Sequence, residues 1–379
     1  MNTSSPRSRR SVKLLGLLGL ALISSACASG TPLDTLEPDG AAARTIQDLV
    51  GPVFLIAGVV FVLVEVGVVL IAWKFRARDT DDDDTLPAQV HGNNRLEIGW
   101  TILPAVILAF VAVFTLVTIF ELEERDDDAI AIGVEGQQWW WRFTYDIDGD
   151  GETDITTASE MVIPAGTQVD LSLTSNDVIH SFWIPRLNGK RDVVPGRSNT
   201  LSLESDEPGY FFGQCTEFCG LSHAEMRMRV IALPQDEYDA WVEEQMTDGP
   251  TPQTAAQARG QEAFSGLCAS CHSIRGLENQ PGTGENPIPL VSGVAPDLTH
   301  FASRRVYAGG LFELYDGEGN VNRGQLEAWL RNPAAEKAMA PDDERGMPNL
   351  GLTENQIDDL VEYLLSTADG PVWTGPRND

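Results

Sequence analysis

The chain has 379 residues, enough for two or three domains, and 42% of them are hydrophobic, enough to fill cores or membrane spans. Its 26 basic and 56 acidic side chains give a formal net charge of −30, which argues against nucleic acid as a partner. The charge suits either a basic protein partner or plain solubility.

The first residues carry Arg7, Arg9, Arg10 and Lys13, then the apolar run LLGLLGLALI, then small residues around Cys27. This is the layout of a secretory signal over residues 1–28, so the remainder is expected outside the cytoplasm or in the membrane. Cleavage after Ala28 fits, and so does cleavage before a lipidated Cys27, although Ser24 stands where lipoprotein signals usually have leucine.

A transmembrane hairpin is predicted over residues 46–121, with spans at about 49–73 and 98–120, each close to the roughly 20 residues that cross a bilayer. The first span holds one charge, Glu65, to which no role is assigned; the second holds none. Lys74, Arg76 and Arg78 follow the first span, whereas Glu121, Glu123, Glu124 and Asp126 follow the second. The positive-inside rule therefore puts the short loop in the cytoplasm and everything after about residue 121 on the outer side. The acidic run DTDDDD after Arg78 does not reverse this, because acidic residues contribute little to the rule.

Residues 128–234 read as short strands. TQVDLSLTS alternates Val169, Leu171 and Leu173 with polar residues, NTLSLES repeats the pattern with Leu201 and Leu203, and turn-rich joints separate them. A small β-sandwich or barrel follows. DIDGDGETD at 146–154 resembles the start of an EF-hand calcium loop, but its twelfth position is Thr157 and no helices flank it, so a solvated hairpin tip is the better reading.

Residues 214–226, QCTEFCGLSHAEM, crowd Cys215, Glu217, Cys219, His223 and Met226 into one loop. A disulfide across three residues, a tetrahedral zinc site and a copper chaperone's metal loop are all conceivable. The full set favours copper held for electron transfer: two soft thiolates, a thioether, and a second imidazole from His180 in NDVIHSFWIP, expected at the end of a strand. Two cysteines can bridge two copper ions, each completed by one histidine, so that a single electron spreads over both.

A polar, proline-bearing linker is expected over residues 235–256, and a separate α domain over 257–370. In it, Cys268, Cys271 and His272 form CASCH, the attachment signal for c-type haem. Met339 and Met347 are candidates for the second axial ligand of the iron; Met347, in GMPNLG just before the last helix, is preferred. That helix, TENQIDDLVEYLL, opens with Thr353 and Gln356 in capping-box spacing and aligns Ile357, Leu360, Val361 and Leu364 on one face.

C-x-E-x-C-G-x-x-H-x-x-M downstream of D-V-I-H-S-F resembles the CuA subunit, subunit II, of cytochrome c oxidase, over residues of about 46–234. The resemblance implies an all-β Greek-key cupredoxin domain carrying dinuclear copper on His180, Cys215, Cys219, His223 and Met226, with the Glu217 backbone carbonyl as a further ligand. It implies that the Glu217 side chain reaches a magnesium shared with the catalytic subunit I. Trp139 in GQQWWWRFTY would be where electrons enter, against the alternative of an ordinary buried aromatic strand. Glu97 in EIGWTILPA would open a proton path, against an interfacial carboxylate with no special duty. The C-terminal part is similar to small bacterial cytochromes c: Pro296 in VAPDL would flank the haem histidine, and Gly260, Phe264 and Tyr363 would join the terminal helices.

The domain order resembles bacterial oxidases of the caa type, in which a cytochrome c is fused to subunit II. By that resemblance, a cytochrome c or a cytochrome bc-type complex would supply electrons, and the chain would pass them to subunit I beside other oxidase subunits. Only His91 and His300 remain unassigned, too few to hold an oxygen-reducing centre, so that chemistry is expected on another chain. The rivals are a CuA subunit of a nitric oxide reductase and a copper carrier without turnover.

Overall fold

The computed structural model describes residues 31–76, 91–126, 128–277, 295–340 and 345–375. The signal segment with Cys27 and the acidic run after Arg78 lie outside these residues. Helices α1 (Ala41–Lys74) and α2 (Asn94–Leu122) contain the two expected spans and extend beyond them. Their mean hydropathies reach 2.9 and 2.8, and their side chains face outward rather than into a protein core, as a lipid solvent requires. Asn93 caps α2 by accepting from Arg95 N and Leu96 N.

The hairpin is tied to the next domain at one end. Arg186 bonds Asp39 at 2.6 Å, Arg44 pairs with Asp206, and the backbone of Asp39 exchanges bonds with Arg186 and Asp206. Gly40 is needed there, because a Cβ would lie 2.1 Å from the Glu204 carbonyl oxygen.

Ten strands follow: β1 (Ile130–Gln137), β2 (Trp140–Tyr145), β3 (Ile155–Ala158), β4 (Glu160–Pro164), β5 (Val169–Ser175), β6 (His180–Phe182), β7 (Arg191–Val193), β8 (Asn199–Leu203), β9 (Gly209–Gln214) and β10 (Arg227–Leu233). One sheet runs β3-β2-β1-β5-β8 and a second β4-β10-β9, with β6 and β7 as a separate ribbon. The pairs β1·β5 and β4·β10 are parallel, so the chain crosses between sheets instead of meandering. Val169, Leu171 and Leu173 point into the core with Trp141, Phe143, Phe182, Phe211 and Val230, as the alternation predicts. The Tyr145 hydroxyl, fully buried, bonds both the N–H and the carbonyl of Val162 and so joins the sheets. Asp146, Asp148 and Asp154 meet at a hairpin tip flanked by strands, not helices.

Two expectations need correction. Residues 235–245 are not linker: they form helix α3 (Gln235–Gln245), whose Tyr238 and Trp241 complete the sandwich core, Trp241 standing 5.2 Å edge-on to Tyr145. The connecting segment is therefore about half the expected length. His180 opens strand β6 rather than ending a strand.

The C-terminal domain contains α4 (Ala255–Leu267), the short strands β11 (Val306–Tyr307) and β12 (Phe312–Glu313), α5 (Arg323–Arg331), the single turn α6 (Pro333–Glu336) and α7 (Glu354–Leu365). Both α4 and α7 begin with capping boxes, Thr254 with Gln257 and Thr353 with Gln356. The face of α7 predicted to be apolar is buried, with Tyr363 added to it. Helices α4 and α7 cross where Gly260 meets α7: a Cβ there would lie 2.0 Å from the Asp359 carbonyl oxygen, and Phe264 stacks 6.0 Å from Tyr363 just beyond. Since not even a methyl group fits, Gly260→Ala should destabilise this domain by about 1–3 kcal/mol. Denaturant unfolding followed by calorimetry checks this, and an unchanged midpoint would refute the crossing.

Candidate metal centre

The loop between β9 and β10 is pinned at both ends. Cys215 N bonds Met226 O at 2.9 Å, and Thr216 N bonds Ser181 O at 3.0 Å, which sets the loop against β6. These closures bring together every side chain expected as a ligand. The sulfurs of Cys215 and Cys219 are 3.8 Å apart, and neither cysteine is in a disulfide, whose S–S distance would be about 2.05 Å. The disulfide alternative is thereby overturned.

Each sulfur has its own imidazole: His180 Nδ1 lies 3.9 Å from Cys215 Sγ, and His223 Nδ1 lies 3.5 Å from Cys219 Sγ. Met226 Sδ stands 3.8 Å from Cys219 Sγ, and the Glu217 carbonyl oxygen 3.3 Å from Cys215 Sγ. His180, Cys215, Cys219 and Met226 are buried, His223 is half-buried, and the Glu217 side chain is exposed.

Two thiolates this close repel each other, so the pair resists ionising together. A hydrogen bond from the Cys219 thiol, aided by His180 and by the loop backbone, holds the Cys215 thiol down to about 4 against the opposing effect of burial. The same neighbour, together with burial, holds Cys219 well above the usual thiol range. A site that releases one proton readily and resists losing the second fits metal ions that neutralise both thiolates. With two imidazoles and a thioether, the donor set suits copper.

Sequence reasoning missed several supporting residues. Asp177 Oδ1 lies 2.8 Å from His180 Nε2, which orients the ring and aims Nδ1 at Cys215. A carboxylate three residues before a ligand histidine in a turn was its only local signal. The Cys219 carbonyl accepts from Gln138 Nε2 at 2.6 Å and from Trp139 Nε1 at 3.0 Å. Gly220, at φ +113°, leaves room for both side chains.

Trp139 itself is 3% exposed: it packs in the sandwich core and lines a cleft shared with the C-terminal domain, which reaches its backbone carbonyl. Between the two domains lies a cleft of about 640 Å³ lined by Gln138 and Trp139 on one side and by Cys268, Cys271, His272 and Pro296 on the other. His272 Nδ1 donates to Pro296 O at 2.8 Å, which leaves Nε2 unprotonated for a metal. The Tyr307 hydroxyl, buried in the wall, finds no partner among the described residues, so the cleft has both the size and an unsatisfied polar group for a haem. Both methionines line it: Met347 packs on the C-terminal core, Met339 on the sandwich core. Glu97 stands in the first turn of α2, roughly 40 Å down the helix from the copper-binding side at 1.5 Å per residue.

Three family models match: the transmembrane domain of cytochrome c oxidase subunit II over residues 37–118, its periplasmic domain over 146–233, and cytochrome c over 257–368. Cytochrome c oxidase subunit 2 of Alkalihalophilus pseudofirmus is 35% identical over 362 residues, covering 93% of this chain and 96% of the relative. The subunit of the same name from Bacillus sp. strain PS3 is 33% identical over 93% of this chain and 97% of its own length, and that of Bacillus subtilis 31% over 94% and 96%. These domains imply copper and haem c, and the group of His180, Cys215 and Cys219 fits CuA.

Asp177→Asn keeps the shape but removes the charge opposite His180. It should weaken copper binding by about 10- to 100-fold in a chelator competition titration. Unchanged affinity would mean that Asp177 does not orient the ring.

Proposed function

The chain belongs to the cytochrome c oxidase subunit II family, with a cytochrome c domain at its C-terminal end, and on that premise we propose that it takes electrons from a cytochrome donor and passes them to the oxygen-reducing subunit I. The observation that carries this reading is the unbonded sulfur pair with one imidazole at each sulfur. When bound, copper and haem supply reversible one-electron chemistry at nearly fixed geometry. The protein's own work is to hold, orient and dry the site.

Cys215, Cys219, His180, His223, Met226 and the Glu217 carbonyl would hold the copper. Burial of four of these side chains excludes water, and Asp177 fixes one ring. Cys268, Cys271 and His272 would hold the haem, and Met347, which packs on that domain's core, would complete its protein ligands. Trp139 lies between the cleft and the loop, its indole N–H on the Cys219 carbonyl, which suits it to couple the two domains.

The exposed Glu217 carboxylate is free to reach a magnesium shared with subunit I. Glu97, at the far end of the hairpin, takes the mouth of a proton path on the cytoplasmic side, with the copper and haem domains on the outer side of a bacterial membrane. The donor is a basic cytochrome c or a cytochrome bc-type complex, drawn by the net charge of −30.

Metal analysis with electron paramagnetic resonance of the purified full chain tests this. Two coppers and one haem per chain are expected, with one unpaired spin shared by two copper nuclei, and Cys219→Ser should abolish the sharing. One copper per chain, or a spin localised on a single nucleus, would overturn the assignment. Oxygen uptake without nitric oxide uptake by the complex would separate an oxidase from a nitric oxide reductase.

A further inference from the structure

The C-terminal domain meets the copper domain through contacts built from both sides. Lys337, on the C-terminal side, is 4% exposed, and its ammonium donates to Trp139 O at 2.8 Å, Ala308 O at 2.7 Å and Glu225 O at 3.3 Å. Three donors meet three carbonyls, two of them across the interface. Glu160, on the copper side, is 3% exposed and accepts from the N–H groups of Arg305 and Val306, both at 2.8 Å.

The turn at Ala308–Gly310 is shaped to lie flat against this surface. Gly309 and Gly310 have φ +75°, a Cβ on Gly309 would lie 2.2 Å from Trp139 O, and one on Gly310 would lie 2.8 Å from Arg227 O. Arg227 N donates to Gly309 O at 2.8 Å, and Ser222, next to His223, bonds the Ala338 carbonyl.

Buried groups of this kind add little affinity but penalise any other register, because a shift strands them unpaired. We propose that Lys337 and Glu160 are positioning residues that lock the C-terminal domain over Trp139, so that this tryptophan is served from the chain's own haem cleft and is closed to an outside donor. The inference rests on the reading of Trp139 given above. It adds that the fused domain is held in one register by two reciprocal anchors. A short tether, residues 246–254, keeps the local concentration of the domain high. The anchors therefore need only select its orientation.

The experiment uses the full-length chain with both cofactors, as wild type, Lys337→Met, Glu160→Gln and the double variant. Hydroxyl-radical footprinting read by mass spectrometry reports the solvent access of Trp139 whether or not electrons move. Stopped-flow reduction by a soluble cytochrome c reports whether copper is reduced only after the haem or also directly. The wild type should protect Trp139 and show no direct copper phase.

The double variant should label Trp139 at least fivefold faster, slow haem-to-copper transfer by tenfold or more, and gain a direct copper phase. Its haem absorption and copper resonance spectra should stay unchanged, which establishes that both domains remain folded. Lys337→Arg, which keeps the donors, should restore at least part of the protection lost in Lys337→Met. Wild-type labelling of Trp139 at the rate of a solvent-exposed tryptophan overturns the proposal, and so does full protection in the double variant. A chain that protects Trp139 but takes up no copper would refute the functional reading while leaving the docking intact.

Discussion

Two cysteine sulfurs kept 3.8 Å apart and unbonded are the constraint on which the rest of the molecule turns. Left alone in an oxidising compartment they would tend to form a disulfide, and as neighbouring thiolates they would repel each other. The fold prevents bonding by pinning both ends of the loop to strand backbone, so that the sulfurs are fixed by two sheets rather than by each other. A rigid sandwich is well suited to this, because its packed core gives the loop ends little freedom to close the gap. Two thiolates this close in a buried site favour positive charge between them, which fits copper as the cofactor that the subunit II domain implies.

The same loop serves as the coupling surface. The Cys219 carbonyl accepts from Gln138 and Trp139, which ties a ligand residue to the turn between β1 and β2. That turn in turn presents its Trp139 carbonyl to Lys337 of the fused domain. Metal loop, aromatic turn and haem cleft thus form one continuous set of short contacts.

The membrane hairpin is fixed to the copper domain at the N-terminal end of α1, through Asp39 with Arg186 and Arg44 with Asp206, and at the C-terminal end of α2, which leads into β1. Both attachments lie on one side of the bilayer. The copper face therefore keeps a defined height above the membrane, and exposed Phe218, Leu221 and Ile179 surround the metal loop on its free side. Apolar side chains of that size around a buried site suit contact with another protein of the complex.

Much of this was legible in the sequence alone. The spans are read from hydropathy, the strands from alternation at Val169, Leu171 and Leu173, the last helix from its capping box, and the haem site from CASCH, because each signal is carried by residues close together in the chain. The metal loop is equally local, with five of the six residues expected as donors between 215 and 226. Helix α3 was misread as linker because Tyr238 and Trp241 look like two stray aromatics until the sandwich they complete is present. The burial of Trp139 and the roles of Glu160 and Lys337 were decided only by tertiary structure. Lys337 reaches the carbonyl of a residue 198 positions away, and nothing beside it in AAEKAMAP distinguishes it from a solvated lysine. Periodicity and spacing determine what a segment can become, whereas the fate of one charged side chain depends on which two surfaces meet, and that is settled by packing between distant parts of the chain.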